Sequence, residues 1–387
     1  MSKALVLLRY LPERLRVRQA TQFAFYLTLL ITAAMLATRL LTLSGLPSSI
    51  DWRLLLLLGS FMLISEGLKL AGFMDWIAGA MVRNARGIGG LYFGLLMSAF
   101  VLATLITNDA ALFAVIPLTI AFAQRIRLNL RRLVIYEIIA VNLGSALTPW
   151  GNPQNLFIYR YYNLSPGMFF QQSYPFVLIS LAALYILVAI TLARGGRGKL
   201  ALPSQEMSRP EASRGEITIL VVLFLLLILS ALHLIPALVS AGLLVLYMGV
   251  KQRDSFRRVD WWLLGTFLLL FPTMGGLGGA LARALGNEFG GPMSVYGAGV
   301  GISQVISNVP ATMLLSHATT DWRSLFYGVN LGGLGTVVAS FANLIGLSLY
   351  LKGVRDDNWR AFLGESLVWN VLMLSVLGGI FMFLVRA

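Results

Sequence analysis

The chain has no cysteine and only two histidines, His233 and His317. Disulfides, thiolate metal sites, iron–sulfur clusters and cysteine nucleophiles are therefore excluded, and a histidine-rich zinc site is not expected. Charge is scarce too. Asp, Glu, Lys and Arg make up 12% of the 387 residues, against about 25% in a soluble domain. Apolar residues reach 58%, which excludes a soluble enzyme and a disordered chain. No Gly-x-Ser-x-Gly, His-Glu-x-x-His or Gly-x-Gly-Asp sequence offers a hydrolase nucleophile or base, and no Gly-x-x-x-x-Gly-Lys-[Ser/Thr] sequence offers a nucleotide cradle. The composition is that of an all-α polytopic membrane protein.

A crossing needs about 20 apolar residues. Runs of that kind lie near 22–44, 52–73, 133–160, 174–193, 216–233, 236–250, 261–283, 324–351 and 365–385. The net charge of +14 is explained by where the cations fall. With the N-terminus cytoplasmic, 23 of the 30 Lys and Arg sort to the inner side, among them Arg83, Arg86, Arg125, Arg131, Arg132, Arg257, Arg258 and Lys352. That is the positive-inside bias of a multi-pass protein of the cytoplasmic (inner) membrane, so the basic balance needs no nucleic acid partner. Cations at both ends of 87–124 put both ends on one side, and its centre holds only Thr107-Asn108-Asp109. A re-entrant hairpin with those residues at its tip is expected, two short spans being the alternative.

The chain also repeats itself. Asp51-Trp52-x-Leu54-Leu55 matches Asp260-Trp261-x-Leu263-Leu264, Thr107-Asn108 matches Ser307-Asn308, and Val141-Asn142-Leu143-Gly144 matches Val329-Asn330-Leu331-Gly332. Continuing without a gap, Thr148 pairs with Thr336 and Asn155 with Asn343. Asp51 sorts outside and Asp260 inside, so the expectation is two inverted-topology repeats, each with a re-entrant hairpin and a broken transmembrane helix. The first repeat covers 1–193 (hairpin 87–124, broken helix 133–160) and a cytoplasmic linker covers 194–215. The second repeat covers 216–387 (hairpin 292–317, broken helix 324–351). Inverted repeats with Gly- and Pro-interrupted helices are the mark of a secondary transporter whose site lies between them.

Candidate site residues follow from the interruptions. In Gly144-Ser145-Ala146-Leu147-Thr148-Pro149-Trp150-Gly151-Asn152-Pro153-Gln154-Asn155 two prolines and two glycines stop a regular helix. Backbone freed in lipid must then be satisfied by protein or water. Gly144, Ser145, Thr148, Gly151, Asn152 and Asn155 are assigned to substrate or ion binding on that ground; the bland reading is a proline kink with polar packing. Gly332, Thr336 and Asn343 are their counterparts, though close packing of small residues explains them nearly as well. At the tips stand Thr107, Asn108 and Asp109, opposite Ser307, Asn308 and Pro310. Intramembrane carboxylates are functional candidates, so Asn108 and Asp109 form a possible sodium site, with Asp109 able to carry a proton instead. Glu66 and Lys69 share a helix face as a structural or gating ion pair, and Glu137 is expected to pair with Arg131 and Arg132 at the interface.

Thr107-Asn108-Asp109-Ala110-Ala111-Leu112, Leu147-Thr148-Pro149-Trp150-Gly151-Asn152-Pro153-Gln154-Asn155-Leu156 and Ser307-Asn308-Val309-Pro310-Ala311 resemble the ion-transporter superfamily. Its members include arsenite permeases, citrate-transporter-like proteins, divalent-anion:sodium symporters and some sodium/proton antiporters, and the chain looks most like a bacterial anion permease. The resemblance implies a mobile transport domain of hairpins and broken helices in a homodimer, with Asn108 and Asn308 helping to form the substrate and ion sites. The symporters carry Ser-Asn-Thr at both tips, whereas this chain has Asp109 and Val309 in the third positions, which leaves the coupling ion open between sodium and protons. The expected function is an ion-coupled transporter of a small anion or oxyanion across the bilayer, without a cofactor. A sodium/proton antiporter using Asp109 is the alternative; an intramembrane enzyme or a channel is a remote one. ATP could drive it only through a separate ATPase subunit, such as arsenite permeases can use.

Overall fold

In the computed structural model, which describes residues 13–82, 85, 87–125, 129–195, 212–285, 291–353 and 359–386, the described regular elements are all helical. A backbone in hydrocarbon has to satisfy its own hydrogen bonds, and helices do so within one segment. Most of the linker expected at 194–215, and basic residues such as Lys3, Arg9, Arg83 and Arg86, lie outside the described residues. Among the described residues, six helices are long and apolar enough to cross a membrane, or seven if a pair bent by 69° is one span. The chain is a multi-pass membrane protein.

Helix α1 spans Glu13–Ala37. It stops short of the expected 44 because Arg39 turns into the left-handed region at φ 61°, which ends a helix. Helix α2, Trp52–Leu70, starts on Asp51, whose side chain accepts from the Leu54 amide. Gly72, at φ 71°, then breaks the chain and α3 (Phe73–Val82) leaves at the 69° bend. The expected single span 52–73 missed α3. Next come α4 (Gly87–Leu105) and α5 (Asn108–Arg125), separated only by Ile106 and Thr107. Helix α6 (Leu130–Gly144) is continued by a short turn, Ser145–Leu147, and then irregular chain to α7 (Pro153–Tyr161). Helix α8 is longer than the expected 174–193, running Pro166–Gly195, because a proline fits the first turn of a helix.

The second half runs through α9 (Arg214–Ala231), α10 (Ala237–Lys251) and α11 (Trp261–Leu285). Helices α12 (Pro292–Ile306) and α13 (Asn308–Ser316) meet at Ser307, a non-glycine residue at φ 73°. Helix α14 (Trp322–Gly332) gives way to irregular chain before α15 (Phe341–Gly353), and α16 (Trp359–Arg386) follows.

Packing falls into corresponding pairs. The first arm of each hairpin lies along the first half of a broken helix, α4 on α6 and α12 on α14. The second arms cross over, α5 packing on α15 and α13 on α7. Small residues set the closeness. A Cβ on Gly144 would stand 2.5 Å from the Phe100 carbonyl oxygen, and one on Gly328 would stand 2.6 Å from that of Tyr296. Elsewhere α2 packs with α9 and α10, and α1 with α11.

These contacts predict that Gly144→Ala and Gly328→Ala each destabilise the protein by about 1–3 kcal/mol, the usual cost of overpacking. Gly242→Ala, where an added Cβ meets nothing within 4 Å, leaves stability unchanged or slightly raised. Thermal unfolding in detergent checks all three.

Candidate functional site

The broken helices lose their backbone ladder at membrane depth, and side-chain amides replace it. Asn142 Nδ2 donates to Asn343 Oδ1 at 2.8 Å. In the register of the sequence repeat Asn142 becomes Asn330 and Asn343 answers to Asn155, and Asn330 Nδ2 donates to Asn155 Oδ1 at 2.9 Å. Second bonds follow the same exchange. Ser340 Oγ donates to Asn142 Oδ1 at 3.0 Å, and Asn152 Nδ2 reaches Asn330 Oδ1 at 3.4 Å. Asn155 Nδ2 donates to the Ser145 carbonyl at 3.4 Å, and Asn343 Nδ2 to that of Gly333 at 3.0 Å. All of these amides are buried. Reciprocal contacts of this kind are what a two-fold relation between two halves produces.

Each break also grips a hairpin tip. The Asn108 amide donates to the Gly151 carbonyl and the Asn308 amide to the Ala339 carbonyl, both at 2.9 Å. Thr148 Oγ1 donates to the Thr104 carbonyl and Thr336 Oγ1 to the Gln304 carbonyl, both at 3.0 Å. In return, Thr104 Oγ1 donates to the Gly144 carbonyl at 2.8 Å, and Gln304 Nε2 to the Gly332 carbonyl at 2.9 Å. Gln304 also reaches Leu334 and the Thr336 amide. Thr104, Gln304, Asn142, Asn330 and Ser340 were not among the candidate residues. Asn142 and Asn330 stood inside the repeat match itself, and that register would have flagged them.

A cavity of about 500 Å³ reaches one tip and not the other. Its inner end holds Thr107, Asn108, Asp109, Asn152 and Pro153; its mouth holds the exposed Arg257, Arg258 and Lys352. Gly144, Ser145, Thr148, Gly151 and Asn155 stand behind the first tip as its frame. Ser307, Asn308 and Pro310, with Gly332, Thr336 and Asn343, form the second tip and its frame and do not line the cavity. Four helices begin at the cavity: α5 at Asn108, α7 at Pro153, α15 at Phe341 and, beside the mouth, α11 at Trp261. Asn152 caps α7 by accepting from the Asn155 amide at 2.9 Å.

Charged groups line the same wall. Glu66 and Lys69 lie 3.8 Å apart, with the Lys69 ammonium 3.9 Å from the centre of the Phe113 ring on the hairpin. Asp260 accepts from Thr21 at 2.8 Å. Asp109 Oδ1 and Glu66 Oε2 are buried without a hydrogen-bond partner among the described residues. The interfacial pairing expected of Glu137 is not found. Glu137 is fully buried and accepts from Thr119, while Arg131 and Arg132 meet Glu365 at 3.7 and 2.8 Å. Thr119 lies on the hairpin's second arm, a partner that local spacing along α6 cannot reveal.

Helices interrupted at membrane depth, each interruption stapled to a hairpin tip and one tip exposed in a cavity, define a membrane transporter rather than an enzyme. The chain belongs to the citrate transporter family, whose model matches residues 25–322. It is 33% identical over 337 residues to the inner membrane protein YbiR of Escherichia coli, covering 86% of this chain and 88% of that one. An uncharacterized transporter of Methanocaldococcus jannaschii is 30% identical over 349 residues, 86% of this chain and 90% of its own. A 46 kDa membrane protein of Mycobacterium leprae is 25% identical over 378 residues, 87% of each chain.

Asn330→Ala removes the donor to Asn155 and the acceptor of Asn152 at once. The expected loss is about 1–3 kcal/mol for each buried polar group left unpaired. Asn142→Ala should behave alike through Asn343 and Ser340, and thermal unfolding of the two variants measures it.

Proposed function

We propose that the chain is an ion-coupled secondary active transporter of a small anion or oxyanion, working by alternating access to a site between the hairpin tips and the broken helices. One observation carries this reading: four helix N-termini begin at one cavity, whose mouth is basic. The macrodipole makes such ends favourable to anions, while the first amides of α5 are held by Gly151, Asn108 and Thr107. The family's name supports polycarboxylates such as citrate as candidate substrates. Thr107, Asn108 and Asn152 are uncharged polar contacts at the cavity's inner end, and hydrogen bonding rather than thiolate coordination recognises the substrate.

The reciprocal contacts support reading the halves as inverted repeats. On that reading the second tip, with Ser307 and Asn308, takes the part of the first when the opposite side opens. The sorting of Arg257, Arg258 and Lys352 supports a cytoplasmic mouth and N-terminus, and the name of the Escherichia coli relative supports the inner membrane. Asp109 is the coupling group, since a carboxylate oxygen held without a partner in a cavity waits for a cation or a proton. That same oxygen favours one second reading, a sodium/proton antiporter in which Asp109 exchanges the two ions.

Thermal shift of the purified protein against small anions, in sodium or in choline, separates the readings. A ligand at 100 times its dissociation constant adds about 2.7 kcal/mol. Stabilisation by an anion, lost in choline, supports sodium-coupled anion transport; stabilisation by sodium with every anion silent supports the antiporter. Asp109→Asn should stay folded and lose ion-coupled transport in proteoliposomes. Wild-type rates with unchanged ion dependence would remove Asp109 from the mechanism.

A further inference from the structure

The cavity is blind at the end away from its mouth. Along α15 its lining runs from Phe341 to Lys352, and along α2 from Leu58 to Lys69, so the mouth lies toward the later residues of both helices. The N-terminus of α2 and the C-terminus of α7 leave the cavity in the other direction. Between them lies an apolar seal of Leu54, Phe157, Phe271 and Met313, the two rings 6.2 Å apart. Beyond the seal, Arg160 at the end of α7 grips Asp51 at the start of α2 with two nitrogens, Nε to Oδ2 at 3.1 Å and Nη2 to Oδ1 at 3.5 Å. Its remaining nitrogen, Nη1, lies 3.2 Å from His233 Nε2. A guanidinium only donates, so His233 accepts there as the neutral ring protonated on Nδ1.

We propose that Asp51, Arg160 and His233 form a latch that holds the far end of the cavity shut and has to open for the site to face that side. The proposal rests on the alternating-access reading above. The three residues join separate groups of helices. Asp51 belongs to α2 and His233 to the turn between α9 and α10, elements that pack on one another; Arg160 belongs to α7, which packs mostly on α13 and also touches α14 and α2. The apolar seal beneath separates without breaking a hydrogen bond, so the latch is the directional contact at that end. It is also reachable from water: the Arg160 side chain is 11% exposed and that of Asp51 35%. Charge-assisted bonds in that setting bias an equilibrium without freezing it.

The test uses Asp51→Asn, because asparagine still caps α2 while losing the charge that holds Arg160. The chain's lack of cysteine allows spin labels on Arg53→Cys and Tyr161→Cys, beside the latch, with no background. Pulsed-EPR distances should show one short separation with Asp51 present and an added longer population in Asp51→Asn. An unchanged distribution overturns the latch, and this readout needs no substrate. In proteoliposomes, Asp51→Cys/Arg160→Cys tethered by a bis-methanethiosulfonate linker should lose uptake and regain it on reduction, while a monofunctional reagent does not reproduce that reversible loss. Uptake that persists at the untethered rate also overturns the latch. Absence of ion-coupled uptake in the cysteine-free parent counts against the proposed function instead, and the distance measurement still decides the latch.

Discussion

Two hydrogen bonds between asparagine amides hold this fold together where its helices come apart. An amide side chain carries the same donor and acceptor as a peptide group, so it can stand in for the ladder that a broken helix has lost. Asn142 to Asn343 and Asn330 to Asn155 do so across the molecule, each joining the first half of one broken helix to the second half of the other. A bond within one break would only repair it locally. Bonds exchanged between the two breaks fix them relative to each other, and the tips gripped by Gly151 and Ala339 inherit that registration. The hairpins and broken helices are thereby one body.

Within that body the two halves are alike in framework and unlike in chemistry. The frame residues exchange one for one, yet Asp109 stands where the second tip has Val309. The first tip meets the cavity and the second does not. The carboxylate thus sits on the side that water and solute can reach in this state, beside Glu66, Lys69 and Asp260. Asp109 Oδ1 is buried there without a hydrogen-bond partner among the described residues, while the first turn of α5 favours an anion. The opposite tip, capped by Ser307 at a strained positive φ, carries no charge that would need such support.

Much of this was legible from residue order. Apolar runs marked the crossings, Pro149, Pro153 and neighbouring glycines marked the first break, and the Thr107-Asn108-Asp109 and Ser307-Asn308 sequences in apolar surroundings marked the tips. What escaped the sequence depended on partners distant along the chain. Glu137 looked interfacial beside Arg131 and Arg132, but those arginines turn to Glu365 and the carboxylate turns inward to Thr119. Hydropathy ran straight through Ala71 and Gly72, since one glycine in the left-handed region bends a chain without changing its polarity. Gln304 was invisible for a different reason: the motif at the tip begins at Ser307, and the residue that braces the second break stands one helical turn earlier. Arg160 was sorted only by side, and sorting by side says nothing about what a cation touches.

The same contacts constrain how the cavity can close. Tips and breaks are bound by backbone and amide bonds, so a change of access that pulled them apart would expose several buried polar groups, each costing about 1–3 kcal/mol. The boundary between the stapled body and the group of α2, α9 and α10 is of another kind. Leu54, Leu58, Phe157 and Phe267 meet there through apolar side chains that slide without losing a hydrogen bond. A protein built this way moves at its apolar boundary and keeps its polar centre intact. Under the alternating access proposed above, such a division would let the site travel with its hydrogen bonds made.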